Sequence, residues 1–386
     1  MPSELPISEL TNRMPQSGIR EIFDAAQTYD DLADLSIGEP DFATPEPIAS
    51  AVSDAIGTGV SSYTATVGEI GLRTDLSSKL ESQNGINTDP ESEVIVTPGA
   101  MGALFTALQV LCGPGDEVVV PEPYWPNYHG HIASIGAELV TLPTTPEDGF
   151  VPEPEELDEA VTENTAAVLL NTPSNPTGAV ISPQRLEALG HMAAENGIWI
   201  IADETYEDLV YDGSTHHSLA SDPERFEHTV TIHSFSKAYA MTGWRVGYAS
   251  APERVIDAMR VLQEHTVSSI AQPAQVAAQA ALDNREIITE IRDAFERRRE
   301  TILSRLQPID GIDPGEPTGA FYVFADVSDH TMDSHSFVER LLSEAHVASV
   351  PGSVFGKAGE GHIRLSYATD LETIETAMDR LERLLA

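Results

Sequence analysis

The stretch 233–248 reads His-Ser-Phe-Ser-Lys-Ala-Tyr-Ala-Met-Thr-Gly-Trp-Arg-Val-Gly-Tyr. It gathers two hydroxyls (Ser234 and Ser236), one amine (Lys237) and, eight residues on, a guanidinium (Arg245). An apolar run at 229–232, Thr-Val-Thr-Ile, precedes it and reads as a short buried strand. The chain contains three lysines, Lys79, Lys237 and Lys357, against eighteen arginines. Arginine would serve equally well as a fixed cation at a strand end. What it lacks is a free-amine form, and only lysine can attack a carbonyl to make a Schiff base. Two serines and Arg245 beside that amine suit a phosphate. Amine and phosphate cradle together point to a phosphorylated aldehyde held covalently, with pyridoxal phosphate the leading candidate. The plainer reading of Ser-x-Ser-Lys is a turn with a solvated lysine, so the rest of the chain must decide.

Four further places carry candidate chemistry. Asp203 follows the apolar run 198–202, Ile-Trp-Ile-Ile-Ala, which puts a carboxylate at the rim of a hydrophobic layer. There it would keep a pyridine nitrogen protonated and make the ring an electron sink, or else it caps the following turn. Tyr206, three residues on, would donate to the phenolic oxygen of the same ring or simply fill the core. The segment 171–178, Asn-Thr-Pro-Ser-Asn-Pro-Thr-Gly, has turn chemistry, and its rigidity would aim Asn175 at a bound ring. Gly99, Ala100 and Met101 open a helix with small residues, where free N–H groups and the helix dipole suit a phosphate. Tyr124-Trp125 is an aromatic pair that would stack on a flat ring or pack in the core. Arg364 alternates with apolar neighbours in 362–367, His-Ile-Arg-Leu-Ser-Tyr, so its planar fork clamps a carboxylate ligand or sits in a structural ion pair.

Short apolar strands alternating with helices position these residues. The pattern predicts strands at 94–97, 117–120, 137–142, 166–170, 198–202 and 229–232, with helices over 102–112, 128–135 and 183–196. Such alternation implies an α/β fold with a mostly parallel sheet flanked by helices, whose ligands gather at the carboxyl ends of the strands. Upstream, 1–30 reads as an arm that includes Arg-Met-Pro-Gln-Ser-Gly-Ile-Arg at 13–20. Helices follow over 45–56 and 69–83, the latter closed by Asn84-Gly85. Downstream come two helices within 251–284 broken near Pro273, a long charged helix over 285–306, strands at 320–325, 347–350 and 362–366, and helices over 334–345 and 371–385. The change of order marks a smaller α+β domain. The expected division is 1–45 (arm and part of the small domain), 46–285 (large cofactor-binding domain) and 286–386 (small domain).

Composition narrows the function classes. The 21 basic and 62 acidic residues give a net charge of −41, which repels nucleic acid and anionic membranes. The acids are spread along the chain rather than massed in a tail, as adaptation to a salty cytosol would require. Cys112 stands alone, so neither an internal disulfide nor a cysteine zinc site is available. No leader pattern or membrane-length apolar run is visible, and a cytoplasmic location is expected. A dinucleotide fold lacks its Gly-x-Gly-x-x-Gly turn, and a regulator built on this domain would need a basic DNA-reading module.

Taken together, the chain resembles the fold-type I pyridoxal-phosphate aminotransferases of class I/II, in their prokaryotic aspartate and aromatic subgroup. The resemblance runs from Ser-Gly-Ile (17–19) through Gly-Glu-Pro-Asp-Phe (38–42), Asn-Pro-Thr-Gly (175–178), Asp-Glu-x-Tyr (203–206), Ser-x-Ser-Lys (234–237) and Met-Thr-Gly-Trp-Arg (241–245) to Val-Pro-Gly (350–352). It implies that Lys237 holds pyridoxal 5'-phosphate and, once displaced by substrate, shuttles the proton between substrate and cofactor carbon. It implies further that Asp203 pairs with the pyridine nitrogen, Tyr206 and Asn175 with the ring oxygen, and Trp125 with the ring face. Gly99, Ala100, Met101, Ser234, Ser236 and Arg245 would hold the phosphate, joined by Tyr63 from the neighbouring subunit of a homodimer. Arg364, helped by the backbone of Gly38, would hold the substrate carboxylate. The implied activity is ping-pong transfer of an amino group from an L-amino acid to a 2-oxo acid such as 2-oxoglutarate, with a carbon-sulfur β-lyase as the alternative. Relatives that use aspartate through this loop often carry Lys where this chain has Met101, and 265–269 contains no arginine for a second carboxylate. Aromatic and other neutral donors therefore stay open beside aspartate.

Overall fold

The computed structural model describes residues 9–15, 18–29, 31–330 and 333–386. Residues 1–8, Gln16, Ser17 and Asp30 lie outside the described residues, and with them part of the predicted arm and the Ser17 end of the resemblance.

Seven strands form the main sheet: β1 (Val94–Thr97), β2 (Glu117–Glu122), β3 (Glu138–Pro143), β4 (Thr165–Asn171), β5 (Trp199–Asp203), β6 (Thr229–Ser234) and β7 (Gly247–Ser250). Their order is β1-β7-β6-β5-β4-β2-β3. The pairs from β6 to β3 are parallel, while β7 runs antiparallel to both neighbours. The parallel strands read as continuous apolar runs because both faces are covered, and β4, β5 and β6 bury nearly every residue. The covering helices include α1 (Ile70–Lys79), which continues as a wider turn to Asn84; α2 (Gly99–Leu111); α3 (Asn127–Ser134); and α4 (Pro183–Asn196). Gly85 ends the first in the left-handed conformation (φ 70°), as its Asn-Gly signal predicts.

The strand β7 is a correction. The sequence reading treats 233–248 as one functional stretch and assigns no strand there. Four residues beginning at a glycine carry too little periodicity, and β7 is held instead by pairing with β1 and β6, more than a hundred residues apart. The predicted strand 347–350 also divides. Val347–Ala348 pairs with Ala33–Asp34, whereas Val350–Pro351 pairs with His362–Ser366. With β8 (Tyr322–Asp326), β9 (Val350–Pro351) and β10 (His362–Ser366) form a second, antiparallel sheet in the order β9-β10-β8. The helix break predicted near Pro273 falls at 267–271, and Pro273 lies in the first turn of Gln272–Asp283, where its missing N–H is harmless. Among the described residues no helix is long and apolar enough to cross a membrane.

Candidate active site

Three neighbouring strand tips, Asn171 of β4, Asp203 of β5 and Ser234 of β6, open onto one cavity of about 340 Å³. Ala100 and Met101 from the start of α2, Trp125, Asn175, Tyr206, Ser236, Lys237, Arg245 and Gly38 line the same space, and β10 delivers Arg364 from the second sheet. The site thus lies where the carboxyl ends of the parallel strands meet the smaller sheet.

Lys237 follows β6 and points its amine at the Gly38 carbonyl, 2.6 Å away. The Gly38 carbonyl is therefore engaged by the lysine. Burial pushes this amine down to about 8, assisted by Arg364 and Arg245 and opposed by Glu39 and Asp203. A half-buried amine with two guanidiniums nearby has a usable free-base form near neutrality.

Asp203 is buried with its carboxylate doubly held: Tyr128 Oη donates to Oδ2 at 2.7 Å and the Thr205 amide to Oδ1 at 3.1 Å. The two readings of Asp203 are compatible, since one oxygen makes the local turn while the carboxylate still faces the cavity. Burial raises its carboxyl above the ordinary range, against the hydrogen bonds from Thr205 and Tyr128. A protonated pyridine nitrogen would satisfy such a carboxylate directly.

The N-terminus of α2 has no side-chain cap and no acidic residue in its first turn, so its N–H groups and dipole are unopposed. Gly99 adopts φ 72°, and a Cβ there would lie 2.8 Å from Arg245 Nη2, so only glycine lets the guanidinium reach the helix end. Arg245 itself sits at φ 53°, a strained conformation for a side-chain-bearing residue, with Nη1 donating to the Thr242 carbonyl at 2.8 Å. Ser234 and Ser236 complete the rim, the Ser236 amide donating to Ser234 Oγ at 3.0 Å. This is a cationic cradle of the right kind for a dianionic phosphate.

Arg364 is 1 % exposed, yet its fork meets only neutral oxygens: Asn175 Oδ1 at 3.0 Å and the Ser36 carbonyl at 2.7 Å. Its Nε has no hydrogen-bond partner among the described residues. The guanidinium also lies 4.5 Å from the Tyr322 ring centre and 5.0 Å from that of Phe355. Among the described residues the structural ion pair considered from sequence is not made. A buried charge satisfied by carbonyls and rings alone is prepared for an incoming carboxylate.

Two expected positions read differently in the chain itself. Tyr206 shares a 2.9 Å hydrogen bond with Tyr322 Oη, and Asn175 Oδ1 is taken up by Arg364, so both are held in place by neighbours. Tyr124 does not line the cavity, whereas Trp125 does, edge-on to Tyr128 with ring centres 5.5 Å apart. Tyr63 is not brought to the cavity and stands 91 % exposed. Sequence reasoning missed Tyr128, Tyr322 and Asn171. Tyr128 lies three residues beyond Trp125, and its amide donates to the Trp125 carbonyl at 3.0 Å in the turn that leads into α3. Tyr322 had no signal in the sequence, because it arrives through the packing of β8.

Residues 30–381 match the sequence family described as aminotransferase class I and II. The chain is 38 % identical to aromatic-amino-acid aminotransferase 2 of Thermococcus litoralis, over 99 % of this chain and 98 % of that protein. It is 43 % identical to the aspartate/prephenate aminotransferase of Thermus thermophilus, over 92 % and 91 % of the two chains. The solved structure of Thermus thermophilus aspartate aminotransferase with maleate superposes with a TM-score of 0.94 at 40 % identity, covering 99 % of this chain and all (100 %) of that one.

Proposed function

The chain belongs to the class I and II aminotransferases, pyridoxal-phosphate enzymes that transfer amino groups, and on that premise we propose how its residues divide the work. Bound pyridoxal phosphate supplies an aldehyde that accepts amino groups and a ring that withdraws electrons. Lys237, with its amine available near neutral pH, is the residue that holds that aldehyde and moves a proton at the substrate carbon. Asp203 keeps the pyridine nitrogen charged, and its bond from Tyr128 keeps the carboxylate aimed. Tyr206 and Asn175 face the ring oxygen, and Trp125 covers the ring. The start of α2 (Gly99, Ala100, Met101), Ser234, Ser236 and Arg245 carry the phosphate. Arg364 receives the substrate carboxylate. The observation that carries this reading is Arg364: a buried fork with only neutral partners, in the same cavity as the Lys237 amine.

The donor is an aromatic or other neutral L-amino acid, with aspartate less favoured, and the acceptor is a 2-oxo acid such as 2-oxoglutarate. Ile19, Met101, Leu104 and Trp125 give the cavity apolar walls, which supports this choice. The relatives include enzymes named for aromatic amino acids and for aspartate, so a donor panel with 2-oxoglutarate is the test. Fast half-reactions with phenylalanine and tyrosine are expected. Aspartate outrunning both by tenfold or more would overturn the assignment.

The same reading takes 46–285 as the cofactor-binding domain, with the arm and 286–386 closing over substrate to exclude water. It also takes the enzyme as a homodimer, the exposed Tyr63 reaching the partner's phosphate, in a cytoplasm salty enough to screen a charge of −41.

A further inference from the structure

Two of the three lysines lie inside the fold, Lys237 half-buried and Lys79 buried, and the proposed chemistry uses only Lys237. The other, Lys79 at the end of α1, is 6 % exposed. Its ammonium lies 2.5 Å from Glu207 Oε1 and 2.8 Å from Asn84 Oδ1. Asn84 Nδ2 donates to Glu207 Oε2 at 2.7 Å, and His233 Nδ1 lies 3.0 Å from Glu207 Oε1. From Asn84 the network continues through Ser218 Oγ to Glu204 Oε2, where His216 Nε2 stands at 2.8 Å.

The placement of this network is what gives it meaning. Glu207 follows Tyr206 directly and Asp203 by four residues, while His233 immediately precedes Ser234. One carboxylate therefore ties the turn behind the ring-facing residues to the strand tip behind the phosphate-facing ones, with α1 as the third anchor. A buried ion pair is a poor route to stability alone, since packed apolar side chains serve as well or better. Its use in a chain with only three lysines argues for placement of the turn. Glu204, Glu207 and His216 converge closely enough to suggest a cation site. The Lys79 ammonium already occupies Glu207, however, and would repel a second cation there.

We propose that Lys79 and Glu207 are positioning residues for the cofactor: their ion pair fixes the turn carrying Asp203 and Tyr206 against the strand end carrying Ser234. The proposal rests on the cavity being the pyridoxal-phosphate site. Displacing Asp203 by under an ångström would misalign its carboxylate with the pyridine nitrogen and weaken the grip on the whole cofactor.

The test uses the full chain with Lys79→Met, Glu207→Gln, the double variant and Lys79→Arg, which keeps the charge but not the compact ammonium. Circular dichroism and urea melts report the fold. Titration of the visible band reports pyridoxal-phosphate affinity and its pH dependence. Each single variant should bind the cofactor on the order of tenfold more weakly, with a displaced pH titration of the band. The double variant, which also lacks the pair, should bind the cofactor as weakly as the singles, while its urea midpoint recovers toward wild type because no lone buried charge is left. Affinity within twofold of wild type and an unmoved band in Lys79→Arg and the double variant, even with a lowered urea midpoint, would overturn the proposal by making the pair merely structural. Wild-type protein that takes up no pyridoxal phosphate would overturn the reading of the cavity as well.

Discussion

Replacing Lys237 by methionine should make the cofactor-free protein more stable. The wild-type amine is held at about 8 instead of its ordinary 10.5, with burial the largest cause. Below pH 8 the folded chain must keep a charged ammonium where the neutral amine is preferred. The unfolded chain carries the same charge in water. The difference corresponds to roughly 3 kcal/mol, an upper bound because the amine opens onto the cavity. The lost hydrogen bond to the Gly38 carbonyl returns about 1 kcal/mol. A net gain of about 1–2 kcal/mol is expected at pH 7. Its pH dependence has a definite sign. Between 8 and 10.5 the unfolded lysine binds a proton that the folded one does not, so wild-type stability rises across that window. The advantage of Lys237→Met should therefore be full at pH 7 and shrink as pH approaches 10.5. Urea unfolding of stripped protein in concentrated potassium chloride, at pH 7 and pH 10, measures it. A less stable variant at pH 7, or a gain equal at both pH values, would refute the reasoning.

Three other outcomes are expected. Arg364→Met should lower kcat/KM about a thousandfold by removing a buried charge-assisted carboxylate contact, worth about 2–5 kcal/mol, while the visible cofactor band persists; steady-state kinetics and a spectrum check both halves. Gly99→Ala should weaken pyridoxal-phosphate binding about tenfold, since φ 72° disfavours a side chain by about 1–2 kcal/mol and the new Cβ presses on Arg245; equilibrium dialysis reads this out. Moving the protein from molar salt to about 0.01 M should cost secondary structure by circular dichroism, because the Debye length grows from about 3 Å to about 30 Å around a charge of −41. Full activity after dialysis into salt-free buffer would contradict that last expectation.

The parts of the site legible in the sequence are those that ride on strand tips. Asp203 ends an apolar run and Lys237 follows another, and register alone brings β4, β5 and β6 together, with Asn171 opposite Asp203. Residues that reach the cavity sideways were not legible in the same way. Tyr322 belongs to a different sheet, and its bond to Tyr206 spans 116 residues of sequence. The strand β7 escaped notice for a related reason: its pairing partners, not its own four residues, make it a strand. Arg364 shows the limit from the other side. Its alternation with apolar neighbours announced a buried arginine, but only the fold shows its partners to be neutral oxygens.

The central claim is that one amine of this chain carries the cofactor, and the scarcity of lysine makes it directly testable. Purified protein loaded with pyridoxal phosphate, reduced with borohydride and digested, should yield a single modified peptide with the added mass on Lys237. Label on Lys79 or Lys357, or none on a protein that has taken up the cofactor, would contradict the account.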